Sequence, residues 1–259
     1  MTDIPTTDIR RTIALNGQSM SLVGHESIVL VEMMARGEWE PHLFRIFDRY
    51  LRPDRGYVDV GAFIGTSVMY GAQLARHCWC IEPNPLVYRY LVENCVANPI
   101  IRDKVTRFEG CLWDHPGTLR LGAPVKPYGS AASLRKPEAA TAWEVRAVTF
   151  EMFLEFYSIQ DLNFIKMDIE GAESVVLPQM AGYLRRERPT ILVSVHAFDF
   201  QDRAAELAAV IDSLDHYRHL YLRDGTPADR EALRRGEGME THRSPCSDIL
   251  ATDIPWPAG

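Results

Sequence analysis

The chain has 259 residues, 46% of them hydrophobic and 24% charged, which fits one globular domain with a substantial core, alone or with an N-terminal extension. The formal net charge is −7 and no long basic cluster exists, so nucleic acid is not an expected partner, because neutralising phosphates needs a basic footprint. No apolar run is long enough to span a bilayer, so no membrane association is expected either.

The opening Met1-Thr2-Asp3-Ile4-Pro5 has no charged region leading into an apolar stretch and is not expected to act as a secretory signal. Residues 12–15 and 20–23 flank Asn16-Gly17, a strong hairpin turn pair. The pattern then predicts helices over 26–36 and 39–51, the second with Leu43, Ile46, Phe47, Tyr50 and Leu51 at helical spacing. Pro53-Asp54-Arg55-Gly56 is a turn. It delivers the chain to the stretch around which the rest is organised, Tyr57-Val58-Asp59-Val60-Gly61-Ala62-Phe63-Ile64-Gly65-Thr66-Ser67. This reads as a buried strand, a glycine turn and the first turn of a helix running to Arg76. Asp59 is anomalous, since a carboxylate in a buried strand needs a partner. The turn between Gly61 and Gly65 brings backbone close to a ligand, and the helix start at Thr66 and Ser67 offers unpaired N–H groups to an anionic group.

A second strand ends at Glu82 and is broken by Pro83-Asn84-Pro85; a helix follows through Leu86, Tyr90, Leu91 and Val96. Cys78 and Cys80 share one face of that strand and read as small buried residues rather than zinc ligands. Five cysteines without framework spacing point to free thiols in a reducing compartment, and the expected location is the cytoplasm. Residues 105–110 form a third strand, and 119–121 pair with 145–148. The intervening 122–142 is rich in Gly, Pro, Ser and Ala; such a long segment is usually functional, and it is the candidate lid over an acceptor. Residues 162–169 form the fourth long strand, turned into a helix by Glu170-Gly171-Ala172-Glu173. A strand at 190–196, an amphipathic helix at 201–214 and short strands at 219–222 and 247–251 complete the chain.

Strand alternating with helix is the signature of a parallel α/β sheet, whose ligands bind at the carboxyl ends of the strands. Asp59, Glu82, Asp168 and His196 all stand at such ends. A dinucleotide site wants G-x-G-x-x-G with an acid about twenty residues on. Glu82 supplies the acid, but Phe63 occupies the middle glycine's place and should hinder a pyrophosphate. S-adenosylmethionine has no phosphate, and its ammonium would welcome Asp59, so it is the favoured cofactor. A nicotinamide-dependent dehydrogenase is the alternative enzyme. Alternation puts Lys166, Asp168 and Glu170 on one face of their strand, costly unless paired or used. Asp168 then faces the reacting centre, with Lys166 or Glu170 setting its charge; a purely structural Lys166–Asp168 pair is the plain alternative. His196 reads as a general base, as a hydrogen-bonded strand end, or as a ligand with Asp168 and Asp199 or Glu170 to a divalent metal that no spacing demands.

Three segments together resemble the FkbM-type methyltransferases, a branch of the class I S-adenosylmethionine-dependent enzymes. They are Val58-Asp59-Val60-Gly61-Ala62-Phe63-Ile64-Gly65, Ile81-Glu82-Pro83-Asn84-Pro85, and Asn163-Phe164-Ile165-Lys166-Met167-Asp168-Ile169-Glu170-Gly171-Ala172-Glu173, the last being the most specific. The resemblance covers about residues 37–252. It implies a Rossmann-like fold, a seven-stranded, mostly parallel sheet with helices on both faces and an antiparallel last strand. Residues 1–52 would be an N-terminal hairpin and helical extension, and 53–259 the methyltransferase domain. The resemblance further implies that Asp59, Gly61 and Gly65 shape the pocket for the methionine end. Glu82 would hold the ribose hydroxyls, Gly110-Cys111-Leu112 would line the adenine, and Asp168 would sit near the transferred methyl. It implies O-methylation of a hydroxyl on a small molecule, natural product or glycan. The family usually has asparagine at Phe63 and often glutamate at Ser194, two residues before His196. Those departures motivate a third reading, a cofactor-binding module without turnover. The N-terminal extension is expected to cover the pocket or to form a homodimer contact.

Overall fold

A computed structural model describes residues 9–24, 28–237 and 247–256. β1 (Ile9–Leu15) and β2 (Gln18–Gly24) form an antiparallel hairpin. Its turn residues Asn16 and Gly17 both have positive φ, as a mirror-image hairpin turn requires. α1 (Ile28–Ala35) and α2 (Pro41–Tyr50) follow; the expected start of the first helix, residues 26–27, lies outside the described residues.

The apolar stripe of α2 is fully used: Leu43, Phe44, Ile46, Phe47 and Tyr50 are buried. The chain then runs β3 (Gly56–Val60), α3 (Thr66–Leu74), β4 (His77–Glu82), α4 (Pro85–Ala97) and β5 (Val105–Glu109). Next come β6 (Cys111–Leu112), β7 (Gly117–Ala123), β8 (Thr141–Val148) and α5 (Phe150–Phe156). β9 (Leu162–Met167), α6 (Glu173–Glu187), β10 (Thr190–Val195) and α7 (Arg203–Ser213) lead to β11 (His219–Leu222), α8 (Arg230–Arg234) and β12 (Ser247–Thr252).

Among the described residues, the central sheet has seven strands in the order β11-β12-β10-β9-β3-β4-β5. Only β12 runs antiparallel to its neighbours, as the resemblance implies. After β3 the chain fills one side with β4 and β5, then crosses to β9 and β10, so the strand order reverses between β3 and β9. β7 and β8 pair with Leu119 opposite Val145, as expected, and β6 joins them in a separate three-stranded sheet. α5 and α8 escape the sequence patterns because five to seven residues hold too few turns to show a period.

Alternation on the strands divides the core. Tyr57, Cys78, Cys80 and Phe164 face α2, α3, α4 and the hairpin; Val58, Val60, Ile165 and Met167 face α5, α6 and α7. Phe47 meets Tyr57 and Phe164 edge-on, with centroids 5.3 and 5.4 Å apart. Asn163 at the start of β9 donates to the Tyr50 carbonyl at 2.6 Å, at the end of α2. α2 therefore lies antiparallel along β9. Ten helical residues span about 15 Å, close to the rise of five strand residues. The start of α2 thus reaches the carboxyl end of β9.

Candidate active site

Gly61 follows β3 with φ +84°, and a Cβ there would stand 1.8 Å from the Asp168 carbonyl oxygen. Only glycine lets the two strand ends approach so closely. The turn that follows places Phe63 at φ 52°, and its N–H donates to Glu82 Oε2 at 2.8 Å. The Asn84 N–H donates to Glu82 Oε1 at 2.8 Å, and the Asn84 side chain caps α4 by accepting from the Leu86 and Val87 amides. Burial pushes Glu82 up to about 7 against the pull of those two amides. The Phe63 side chain packs against the core and also borders the cavity.

Asp59 is completely buried. Its Oδ2 accepts from Tyr57 and Ser67 hydroxyls, both at 2.6 Å. Among the described residues its Oδ1 has no hydrogen-bond partner, and it lies 3.5 Å from Lys166 Nζ. Lys166, opposite Asp59 in the β3–β9 register, also reaches Asp168 at 3.4 Å. Burial alone would push Lys166 down; Asp59 and Asp168 outweigh it and hold the ammonium above its ordinary value.

Asp168 follows β9, and Glu170 stands at φ 52°. His196 follows β10 with Nε2 3.7 Å from both Asp168 and Glu170. Its Nδ1 meets Glu173 Oε1 at 3.0 Å, and buried Glu173 also accepts from the Ile169 and Gly171 amides at the head of α6. Burial disfavours a charged His196, but Glu173, Asp168 and Glu170 prevail and raise it to about 10, so it is an imidazolium at neutral pH. Burial takes Glu170 up to about 7 although His196 opposes it. Asp168, Glu170 and His196 offer ligand atoms within 4.8 Å of one another. A cation needs a neutral imidazole there, so a metal would first have to displace the proton. Asp199 is engaged elsewhere, 2.6 Å from Lys136.

A cavity of about 650 Å³, counting its mouth open to solvent, lies over Gly61, Glu82, Asp168 and Glu170. Gly61, Phe63, Glu82, Pro83, Asn84 and Asp168 line one part, and Cys111, Leu112 and Leu121 give it an apolar slot. Asp59, Ala62, Gly65, Thr66, Ser67, Gly110, Lys166 and His196 do not line the cavity: Lys166 touches it only through Asp168, His196 only through Asp168 and Glu170, and Ser67 holds the buried Asp59 behind it. Segment 122–142 folds over it, contributing Gly129, Ser130, Ala132 and Leu134 to the lining. The segment is pinned from several sides. Ser133 donates to the Glu170 carbonyl, Arg135 forks onto both oxygens of Glu206 at 2.9 Å, and the Asn84 side chain donates to the Pro127 carbonyl at 2.9 Å. The segment thus lies over the Glu82 and Leu112 end of the cavity.

Sequence reading missed two groups. Ser194 donates to Asp248 Oδ1 at 2.7 Å, in register across β10 and β12, and Asp248 Oδ2 lies 2.7 Å from His42 Nε2. A carboxylate from the neighbouring strand therefore sits beside Ser194. Asp248 in Ser247-Asp248-Ile249-Leu250-Ala251 repeats the anomaly of Asp59 and was legible by the same argument. Glu40, just before α2, had no signal at all. It is partly buried and faces Asp168, Lys166, Asp248 and Asp59; burial first, then Asp168, raises it to about 8. Among the positive-φ residues other than glycine, Glu40, Phe63 and Glu170 converge on this site. Such strain gathers where a fold over-determines a functional geometry.

The model of the methyltransferase FkbM domain matches residues 59–221. No curated protein matches the chain. Among solved structures, methyltransferase FkbM from Methylobacillus flagellatus KT is 16% identical with a TM-score of 0.49, over 89% of this chain and 56% of that one. The chain thus spans little more than half of that protein's length. Precorrin-6y C5,15-methyltransferase from Geobacter metallireducens GS-15 is 13% identical with a TM-score of 0.46, over 84% of this chain and 88% of that one. The Pyrococcus abyssi tRNA (uracil-54, C5)-methyltransferase, in complex with S-adenosyl-L-homocysteine, is 13% identical with a TM-score of 0.43, over 94% of this chain and 43% of that one.

Proposed function

Because the chain belongs to the methyltransferase FkbM domain family, we propose that it transfers a methyl group from S-adenosylmethionine to a hydroxyl oxygen of a small-molecule or glycan acceptor. The observation that carries the cofactor half is Glu82. Two backbone amides fix its carboxylate at the rim of the cavity, each oxygen keeping a lone pair for a ribose hydroxyl. The slot at Cys111, Leu112 and Leu121 suits a flat ring. These donors and acceptors fit the group well.

When bound, the sulfonium supplies a methyl group that leaves as sulfur becomes a neutral thioether. The protein's share is alignment and a place for the acceptor proton. Asp168 is the group best suited to take it, because it is partly exposed at the cavity wall. His196, a cation beside Asp168 at 3.7 Å, can balance charge developing at the cavity wall. A hydroxyl is the nucleophile that needs this pairing, and that supports oxygen over carbon or nitrogen.

The test joins two measurements. Calorimetric titration with S-adenosylhomocysteine should show micromolar binding. Incubation with methyl-labelled S-adenosylmethionine and a panel of polyols, sugars and hydroxylated acids should give an O-methyl product, identified by NMR. An N- or C-methyl product, or no cofactor binding, would overturn the reading. Asp168→Asn should lower turnover a hundredfold or more.

A further inference from the structure

His196 Nε2 stands 3.7 Å from Asp168 Oδ1 and 3.7 Å from Glu170 Oε2, and both separations are too long for a hydrogen bond. The side chain is only 5% exposed, and among the described residues Nε2 has no hydrogen-bond partner. A buried polar nitrogen without a partner is costly. The ring is not free to turn elsewhere. Its Nδ1 meets Glu173 at 3.0 Å, and Glu173 is itself fixed by the Ile169 and Gly171 amides. Nε2 is thus aimed between two carboxylates and bonded to neither. Two ligands about 2.2 Å from one ion and roughly 115° apart stand about 3.7 Å from each other. The spacing that fails a hydrogen bond therefore suits a shared cation.

We propose that Asp168 Oδ1, Glu170 Oε2 and His196 Nε2 form a site for one divalent first-row transition-metal ion. All three residues offer ligand atoms within 4.8 Å of one another. One imidazole with two carboxylates suits Mn²⁺, Fe²⁺ or Zn²⁺ better than Ca²⁺ or Mg²⁺, which prefer oxygen alone. Glu173 completes the set, because a carboxylate on the far nitrogen orients a ligating imidazole and makes it more basic. The ion takes the place of the proton that His196 otherwise carries among the same three carboxylates. Asp168 keeps Oδ2, 3.4 Å from Lys166, off the ion and still able to accept a proton. Asp168 and Glu170 line the cavity, and three protein ligands leave coordination positions for an acceptor hydroxyl. That use of the ion rests on the methyl-transfer reading above; the site itself does not.

The probe is Mn²⁺, a poor partner for the free thiols. The full chain without an affinity tag, stripped with chelator and free of cofactor, is titrated at pH 8 while free Mn²⁺ is counted by electron paramagnetic resonance. One ion per chain should bind with micromolar affinity. Glu170→Gln, which keeps the side chain's size, and His196→Ala should each weaken binding by about tenfold or more. Asp199→Asn should leave it within about twofold, because that carboxylate is held by Lys136 at 2.6 Å. Spin-echo modulation from one directly bound imidazole nitrogen should appear in the wild type, which keeps the test independent of how the variants fold. Affinity weaker than about 1 mM, binding that Glu170→Gln leaves unchanged, or a bound ion without the nitrogen signal overturns the site. With no cofactor in the tube, each of these results leaves the S-adenosylmethionine reading to its own titration.

Discussion

Two glutamates of the site behave differently because of single contacts. Glu82 is held by amides at a cavity rim, and burial keeps it at about 7. Ribose hydroxyls donate, so they prefer the ionised carboxylate. Affinity for S-adenosylhomocysteine should therefore rise as pH goes from 6 to 8, and Glu82→Gln should flatten that rise; calorimetry across the range checks it. Glu173 is the anchor of His196, not a reacting group. It accepts from His196 and from two amides with no exposure. Glu173→Gln leaves a buried imidazolium without its closest charge and should cost about 3 kcal/mol in urea unfolding.

At the scale of elements, the 122–142 segment covers the cavity, while α2 and β12 bring His42 and Asp248 together beside Ser194. His42–Asp248–Ser194 ties the head of α2 to the antiparallel strand. Burial would raise Asp248, yet His42 and Ser194 hold it below its ordinary value. A carboxyl with a depressed folded pKa gives stability that is present above its unfolded value and is lost as pH falls through the folded one. Asp248→Asn should therefore cost about 1–3 kcal/mol at pH 7 and much less near pH 3, read from denaturant midpoints. The 122–142 segment is clamped by Arg135 on Glu206. Because four of its residues line the cavity, Arg135→Ala should speed S-adenosylhomocysteine release about threefold to tenfold in stopped flow. An effect confined to acceptor use would contradict that.

For the whole molecule, the buried charges set one pH trend. Glu40, Glu82 and Glu170 are raised from 4.5 to between about 7 and 8, so the folded chain binds more protons than the unfolded one across that window. Stability falls as pH rises through it. His196 is raised from 6.5 to about 10, and its contribution, full below 6.5, fades as pH climbs toward 10. Both effects point the same way. Without ligand, the melting temperature should drop by roughly 5 °C or more between pH 6 and pH 9. Saturating S-adenosylhomocysteine should raise it throughout. A flat or rising profile would show that these groups titrate elsewhere.

The sequence by itself determined the sheet and its ends. Strand alternation, the glycine turn and the Lys166-Met167-Asp168 run are local patterns, so they name the β3 and β9 ends and the place of Asp59, Glu82, Asp168 and His196. It also placed the β7–β8 pair. The short α5 and α8 lay below the length at which periodicity speaks. What only the tertiary structure decided is which charges meet. Glu40 and Asp248 are 208 positions apart and neither is marked by spacing; α2 packing along β9 puts one beside Lys166, and β12 pairing with β10 puts the other beside Ser194. The protonation of His196 was likewise out of reach. It depends on three carboxylates around one ring and on burial, and both are properties of the folded molecule alone.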